Sequence, residues 1–211
     1  KEKEREDKIG AEGFLEVSEF NENISFIIQI FNRLVQSCKD NYNFDKQSIT
    51  FDEYNNFFQD VFNSFIKNSK KVRKINAQSQ VYFIGDIHGA IREAFLLVDF
   101  FYNKIKQDQT ITIIFLGNYV DKNPYDLETL TLIYAFSIIF PDNVFILRGI
   151  HETRNLNENS GFYDNLIQYF GDKAEKLYNV IAKTFIKLPL IYLLHIQPKS
   201  THQRIASVLA V

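Results

Sequence analysis

At 211 residues the chain is long enough for one ordinary domain, or one and a half. With 45% hydrophobic, 15% aromatic and 24% charged residues it can fill a core, which excludes a disordered chain. Its net charge of −2 argues against a dedicated nucleic-acid binder.

Residues 1–21 are charged and are expected to form a loosely ordered tail. There is no Met at position 1 or elsewhere, so the chain is expected to be part of a longer or processed product. From position 22 to 77 an N-terminal helical segment is expected. Ile24, Ile27, Ile28, Phe31, Leu34 and Val35 recur at helical spacing, which predicts a helix over 24–39. The lone cysteine, Cys38, falls on it as a small apolar residue and excludes both an intrachain disulfide and a cysteine zinc centre. Thr50 and Glu53 have the spacing of a capping box and predict a second helix to about residue 69. The same stretch resembles the exit of a calcium loop, but Tyr42, Phe44 and Lys46 stand where oxygen ligands are needed. Lys67, Lys70, Lys71, Arg73 and Lys74 are expected at the negative end of that helix and in a solvated linker.

Residues 78–194 read as strand, helix, strand, helix, strand, followed by two further helices. The strand segments QVYFIGD, ITIIFLGN and NVFILRG are apolar runs ending in turns, and the helices between them are long enough for crossovers. The fold class is therefore α/β, a parallel βαβαβ sheet. Residues 195–211 read as a divergent C-terminal segment. The longest apolar stretches, at 129–140 and 188–196, are shorter than the ~20 residues of a spanning helix. No membrane association is expected, and the expected compartment is the cytoplasm or a space continuous with it.

Polar residues crowd behind each strand: Asp86, His88 and Gly89 in GDIHG, Asn118, Asp121 and Lys122 in GNYVDKN, and His151 and Glu152 in RGIHE. Neighbouring strand ends of a parallel sheet lie ~4.8 Å apart at one edge, so three such clusters can converge on one or two metal ions.

These motifs resemble the PPP family of serine/threonine protein phosphatases within the calcineurin-like metallophosphoesterases. The family patterns are GDxHG, GDxVDRG, LRGNHE and a YGFYDE-like segment. This chain has GDIHG at 85–89, GNYVDKN at 117–123, LRGIHE at 147–152 and SGFYDN at 160–165. The resemblance covers about 24–194, the two leading helices included. It implies a two-sheet metallophosphoesterase fold, of which the second sheet is expected to be largely missing here. By resemblance, Asp86 and His88 would bind one metal, position 118 would bridge two, and position 150 would supply an amide oxygen. His151, oriented by Asp121, would protonate the leaving oxygen, and position 122 would grip the phosphate.

The departures from the family pattern fall on the ligands. Asn118 is neutral and bridges two ions poorly, and Ile150 has no donor atom. Lys122 lacks the planar fork of an arginine, and Glu158 stands where the family has another Arg. Two further histidines are implied downstream, the first in an HGG segment, which this chain lacks. Ungapped counting reaches His202, read as a coincidence, and His195 reads as a partly buried structural histidine. The expectation is a phosphatase-like domain with a degraded dinuclear site, catalytically impaired and acting as a binding or scaffold component. An active metal-dependent phosphatase of which this chain is an incomplete part is the alternative. Asp86, His88 and Asn118 would hold at most one divalent ion of the Mn, Fe or Zn class, or none. An exposed apolar sheet face is expected to bring protein partners, a phosphoprotein among them.

Overall fold

The computed structural model describes residues 22–40, 42, 44, 49–67, 70–196 and 204–209. The charged start and His202 lie outside the described residues. In chain order the elements are α1 (Glu22–Lys39), α2 (Phe51–Ile66), β1 (Val72–Ala77), β2 (Val81–Ile84), α3 (Ile91–Gln107), β3 (Thr112–Phe115), α4 (Asp126–Ile139) and β4 (Val144–Ile146). They continue with α5 (Arg154–Ser160), α6 (Phe162–Phe170), a 3-10 turn, α7 (Ala174–Lys187), β5 (Ile191–Ile196) and β6 (Arg204–Leu209).

The leading helices form for the reasons the sequence suggests. Ile27, Ile28 and Leu34 of α1 are buried, as is Cys38, whose thiol is pushed up to about 12 by burial and by the charge of Glu128. At the start of α2 the Thr50 hydroxyl accepts from the Glu53 amide at 3.3 Å, and the Thr50 amide donates to Glu53 Oε2 at 2.8 Å. Caps of this kind contribute about 1 kcal/mol.

Strands β2, β3 and β4 form one sheet, parallel throughout, with Val81 opposite Thr112 and Ile113 opposite Val144. Every residue of β3 is buried. Helix α4 is apolar around nearly its whole circumference because it is enclosed on all sides. It touches β4 and packs against α1, α2 and α3. Most of the core lies here, between the helical layer and this sheet.

The basic run expected to be a linker is corrected by the structure. Residues 72–77 are strand β1, in which exposed Lys74 and Asn76 alternate with buried Ile75 and Ala77. Lys71 does not serve the end of α2. Its ammonium donates to the carbonyls of Ile186 and, at 3.3 Å, Leu188, where α7 ends. Arg73 stacks over the Tyr192 ring, 5.7 Å from its centroid. Strand β1 pairs in parallel with β5, which pairs antiparallel with β6, giving a second sheet of three described strands. The segment read as divergent thus starts inside a strand. His195 is half-buried in β5, opposite Asn76.

This second sheet also corrects the expectation of an open apolar face. Ile75, Ala77, Tyr192 and Leu194 pack on Ile114 of β3 and on Leu147, the residue after β4. Each of these large side chains contributes roughly 1.5–3 kcal/mol by leaving water. At the edge strand β2, Phe83 remains 49% exposed. The α/β class, the parallel βαβαβ half and the two N-terminal helices stand as expected.

Candidate functional site

The polar clusters behind β2, β3 and β4 do meet at one rim. The amides of Ile87 and His88 both donate to the Asn118 carbonyl, at 3.1 and 2.9 Å, and the Gly89 amide donates to Tyr119 O at 2.8 Å. The turns behind β3 and β4 approach even more closely. A Cβ on Gly117 would lie 2.2 Å from the Gly149 amide nitrogen, so neither turn has room for a side chain there. His88, Asn118, Asp121 and Lys122 are all non-glycine residues at positive φ, 49°, 58°, 73° and 80°. Such backbone costs of order 1 kcal/mol or more per residue and persists only where the surroundings fix it.

At Asn118 the fixing group is Glu152. It is fully buried, and its carboxylate accepts from the amides of Asn118, Tyr119 and Gly149, each at 2.8 Å. Burial pushes its pKa up to about 6, opposed by those three amides. One side chain therefore joins the turn behind β3 to the turn behind β4.

Beside it stands a second buried carboxylate. Asp121, wholly inaccessible, contacts His151 Nδ1 at 2.7 Å through Oδ2. The Asn157 side-chain Nδ2 donates to the same oxygen at 3.1 Å, and the Phe162 backbone amide donates to Oδ1 at 3.1 Å. Asn157 also donates to the His151 carbonyl at 2.6 Å. The His151 ring is thereby held through Nδ1 on a buried carboxylate. Sequence reading expected the Asp121–His151 pair. It assigned no role to Glu152 and missed Asn157, which sits on a short polar helix with no apolar period to announce it.

The other side of the rim holds Asp86, His88 and Asn118. His88 Nε2 lies 3.1 Å from Asp86 Oδ2, and its ring stands edge-on to His151, centroids 4.5 Å apart. Asn118 is committed at both ends: Nδ2 donates to Asp86 Oδ1 at 3.1 Å, and Oδ1 accepts from the His151 amide at 3.2 Å. Flipping the amide would set NH₂ against N–H, so the hydrogen bonds fix its orientation with nitrogen toward Asp86. Ile150 is 55% exposed and offers nothing to an ion. Lys122 places its ammonium 2.8 Å from His88 Nε2. Glu158 is paired with Arg154 Nε at 2.7 Å. Among the described residues no group of three or more His, Cys, Asp or Glu is gathered as a metal centre requires. The donors present do not fit a two-ion centre, because Asn118, where the resemblance implies a bridging carboxylate, turns an amide nitrogen to Asp86, and Ile150, where it implies a further ligand, offers a hydrocarbon.

The parallel sheet, the second sheet packed on it and this rim define a class of protein. The chain belongs to the calcineurin-like phosphoesterase family, which matches residues 79–207. Among curated proteins it is similar to the serine/threonine-protein phosphatase PP2A-like PPG1 of Candida albicans, 34% identical over 116 residues. That match covers 55% of this chain and 27% of the relative. It is similar also to serine/threonine-protein phosphatase PP1-delta of Caenorhabditis elegans, 34% identical over 116 residues, covering 55% of this chain and 36% of the relative. The chain thus spans about a third of the curated relatives it matches. Its fold resembles a solved protein serine/threonine phosphatase from Saccharomyces cerevisiae with similarity to human phosphatase PP5. The TM-score is 0.53 at 22% identity, over 66% of this chain and 45% of the other. Among the described residues no helix is long and apolar enough to cross a membrane.

Proposed function

We propose that this serine/threonine phosphatase-like domain is catalytically impaired and acts as a binding or scaffold component in the cytoplasm. The observation that carries the reading is the commitment of Asn118. Its amide bonds Asp86 through nitrogen and the His151 backbone through oxygen, at the position where the family resemblance implies a bridging carboxylate. With Ile150 beside it, a pair of ions has too few donors to be held. Asp86, His88 and Asn118 would hold at most one divalent ion. Such an ion would polarise a phosphate oxygen or a water. His151, oriented by Asp121, would be the proton donor, and Lys122 would face an anionic group. A protein partner, phosphorylated or not, would dock on the phosphatase-type surface. Phe83, half-exposed on the edge strand, is an apolar contact available to it.

An active phosphatase whose remaining donors come from other sequence is the second reading. It is favoured by the His151–Asp121 pair, which is fully built. One assay separates the two. Phosphate release from a phosphopeptide and an aryl phosphate is measured with manganese present, for the 211-residue chain and its His151→Ala variant. Equal, background rates are expected. Turnover by the unaltered chain above the variant would establish the second reading instead.

A further inference from the structure

A recess of about 110 Å³ opens at the start of β4, the end away from the rim, where α2, α4 and α7 end and β5 begins. A cavity of ~150 Å³ admits a benzene-sized ring, so this one admits a single aliphatic side chain. Phe65, Ile138, Val144, Phe145 and Leu188 supply apolar walls. The polar part of the lining consists of hydroxyls and two cations, Arg73 and Lys187, and none of the lining side chains is acidic.

Both cations have donors to spare. Arg73 donates to the Tyr192 hydroxyl at 3.4 Å, and that hydroxyl donates to the Ile146 carbonyl at 3.5 Å. Of the five N–H donors of a guanidinium, this is the one in use among the described residues. Lys187 makes neither a hydrogen bond nor an ion pair among the described residues, and its ammonium lies 5.9 Å from the centre of the Phe62 ring. Close by, the Lys71 ammonium sits on the carbonyls of Ile186 and Leu188. Burial lowers the Lys71 pKa, and so do the charges of Arg148 and Lys187, as expected where positive charge is in excess. Since Lys71 serves the end of α7, the opposing partial charges are those at the ends of α2 and α4. They amount to about half a charge each, against two full cations. The recess therefore complements an anion carried next to an apolar group. A guanidinium grips a carboxylate through two parallel N–H···O bonds, and a lysine adds a point charge. A hollow that takes one side chain suits a peptide, whereas a lipid surface calls for a broad basic face.

We propose that this recess docks an acidic peptide segment of a partner protein: an aliphatic side chain enters beside Phe65 and Phe145, and a neighbouring carboxylate is held by Arg73 and Lys187. This rests on the binding role inferred above and gives it a surface and a partner chemistry. Fluorescence anisotropy with the 211-residue chain tests it. The probes are a labelled six-residue peptide, one isoleucine followed by two glutamates in a glycine and serine background, and its counterpart with glutamines. The acidic peptide is expected to bind about tenfold more tightly than the neutral one, and Lys187→Gln is expected to remove most of that difference. Lys187 has no hydrogen bond to lose, so this variant keeps the fold. Arg73→Gln is the second variant, with the same expected loss. Equal binding of the two peptides, full affinity in both variants, or no binding of the acidic peptide overturns the proposal. Binding of phosphatidylserine vesicles in place of the peptide overturns it too and makes the recess a membrane contact. Peptide affinity is read without turnover, so phosphate release by the chain would sink the impaired reading and leave this one standing.

Discussion

The two sides of the rim differ in what their polar groups are attached to. On one side Glu152 and Asp121 are inaccessible and bonded to backbone amides from separate turns. On the other, the Asp86 side chain is 59% exposed, and Ile150 contributes no polar atom. His151, Asp121 and Glu152 agree with the family's motifs, whereas positions 118, 122 and 150 depart from them. Asp86 and His88 of GDIHG agree as well, so what sets Asp121 and Glu152 apart is that they are buried and also close the fold. A carboxylate joining three amides cannot be exchanged without leaving buried donors unpaired, but a group whose use is to hold an ion can change with little structural effect.

The sharpest way to break this contrast is Glu152→Ala. It leaves three buried amides without an acceptor, each worth roughly 1–3 kcal/mol, and opens a cavity beneath the rim. A loss of about 4 kcal/mol is expected in urea denaturation. A loss below ~1 kcal/mol would show that the turns hold themselves.

The contrast recurs one layer down, between Glu152 and Glu128 of α4. Both are buried, but Glu128 Oε2 has no hydrogen-bond partner, and burial pushes its pKa from 4.5 up to about 7. The folded state therefore keeps a proton that the unfolded chain has lost. Stability from this group is complete below pH ~4.5, falls as the pH rises, and levels off above ~7, by on the order of 3 kcal/mol in all. Glu128→Gln should remove that fall, so the stability difference between the two chains should change across this window in urea titrations. A difference that stays constant from pH 4.5 to 8 would contradict the assignment.

The smallest effect is expected at the exposed side. Asp86→Ala removes contacts to His88 and Asn118 that water can replace, and stability should stay within ~0.5 kcal/mol of the unaltered chain. A large loss there, seen by thermal melting, would make Asp86 as structural as Glu152 and erase the distinction.

The parallel sheet and its rim are legible in the sequence because buried parallel strands read as unbroken apolar runs, each stopping at a glycine turn with a polar group behind it. The capping box at Thr50 is legible because its chemistry is local. Strand β1 is not. Arg73 and Lys74 conceal its inward Ile75 and Ala77, and its pairing partner is far along the chain. Asn157 is hidden for a different reason: its meaning comes from Asp121 and the His151 carbonyl, contacts made across the fold. The orientation of Asn118 and the reach of Lys122 to His88 are likewise products of side-chain packing, beyond what motif spacing conveys.

The pairing of β1 with β5 bears on how the protein is made. Arg73 and Tyr192 are 119 positions apart, yet they touch. A ribosome adding ~5–20 residues each second releases β1 many seconds before its neighbour exists. The βαβαβ half, by contrast, is made of contacts available as soon as each turn emerges. Synthesis thus yields an early-folding body with a waiting ribbon of chain, whose unpaired edge needs shielding until the sandwich closes.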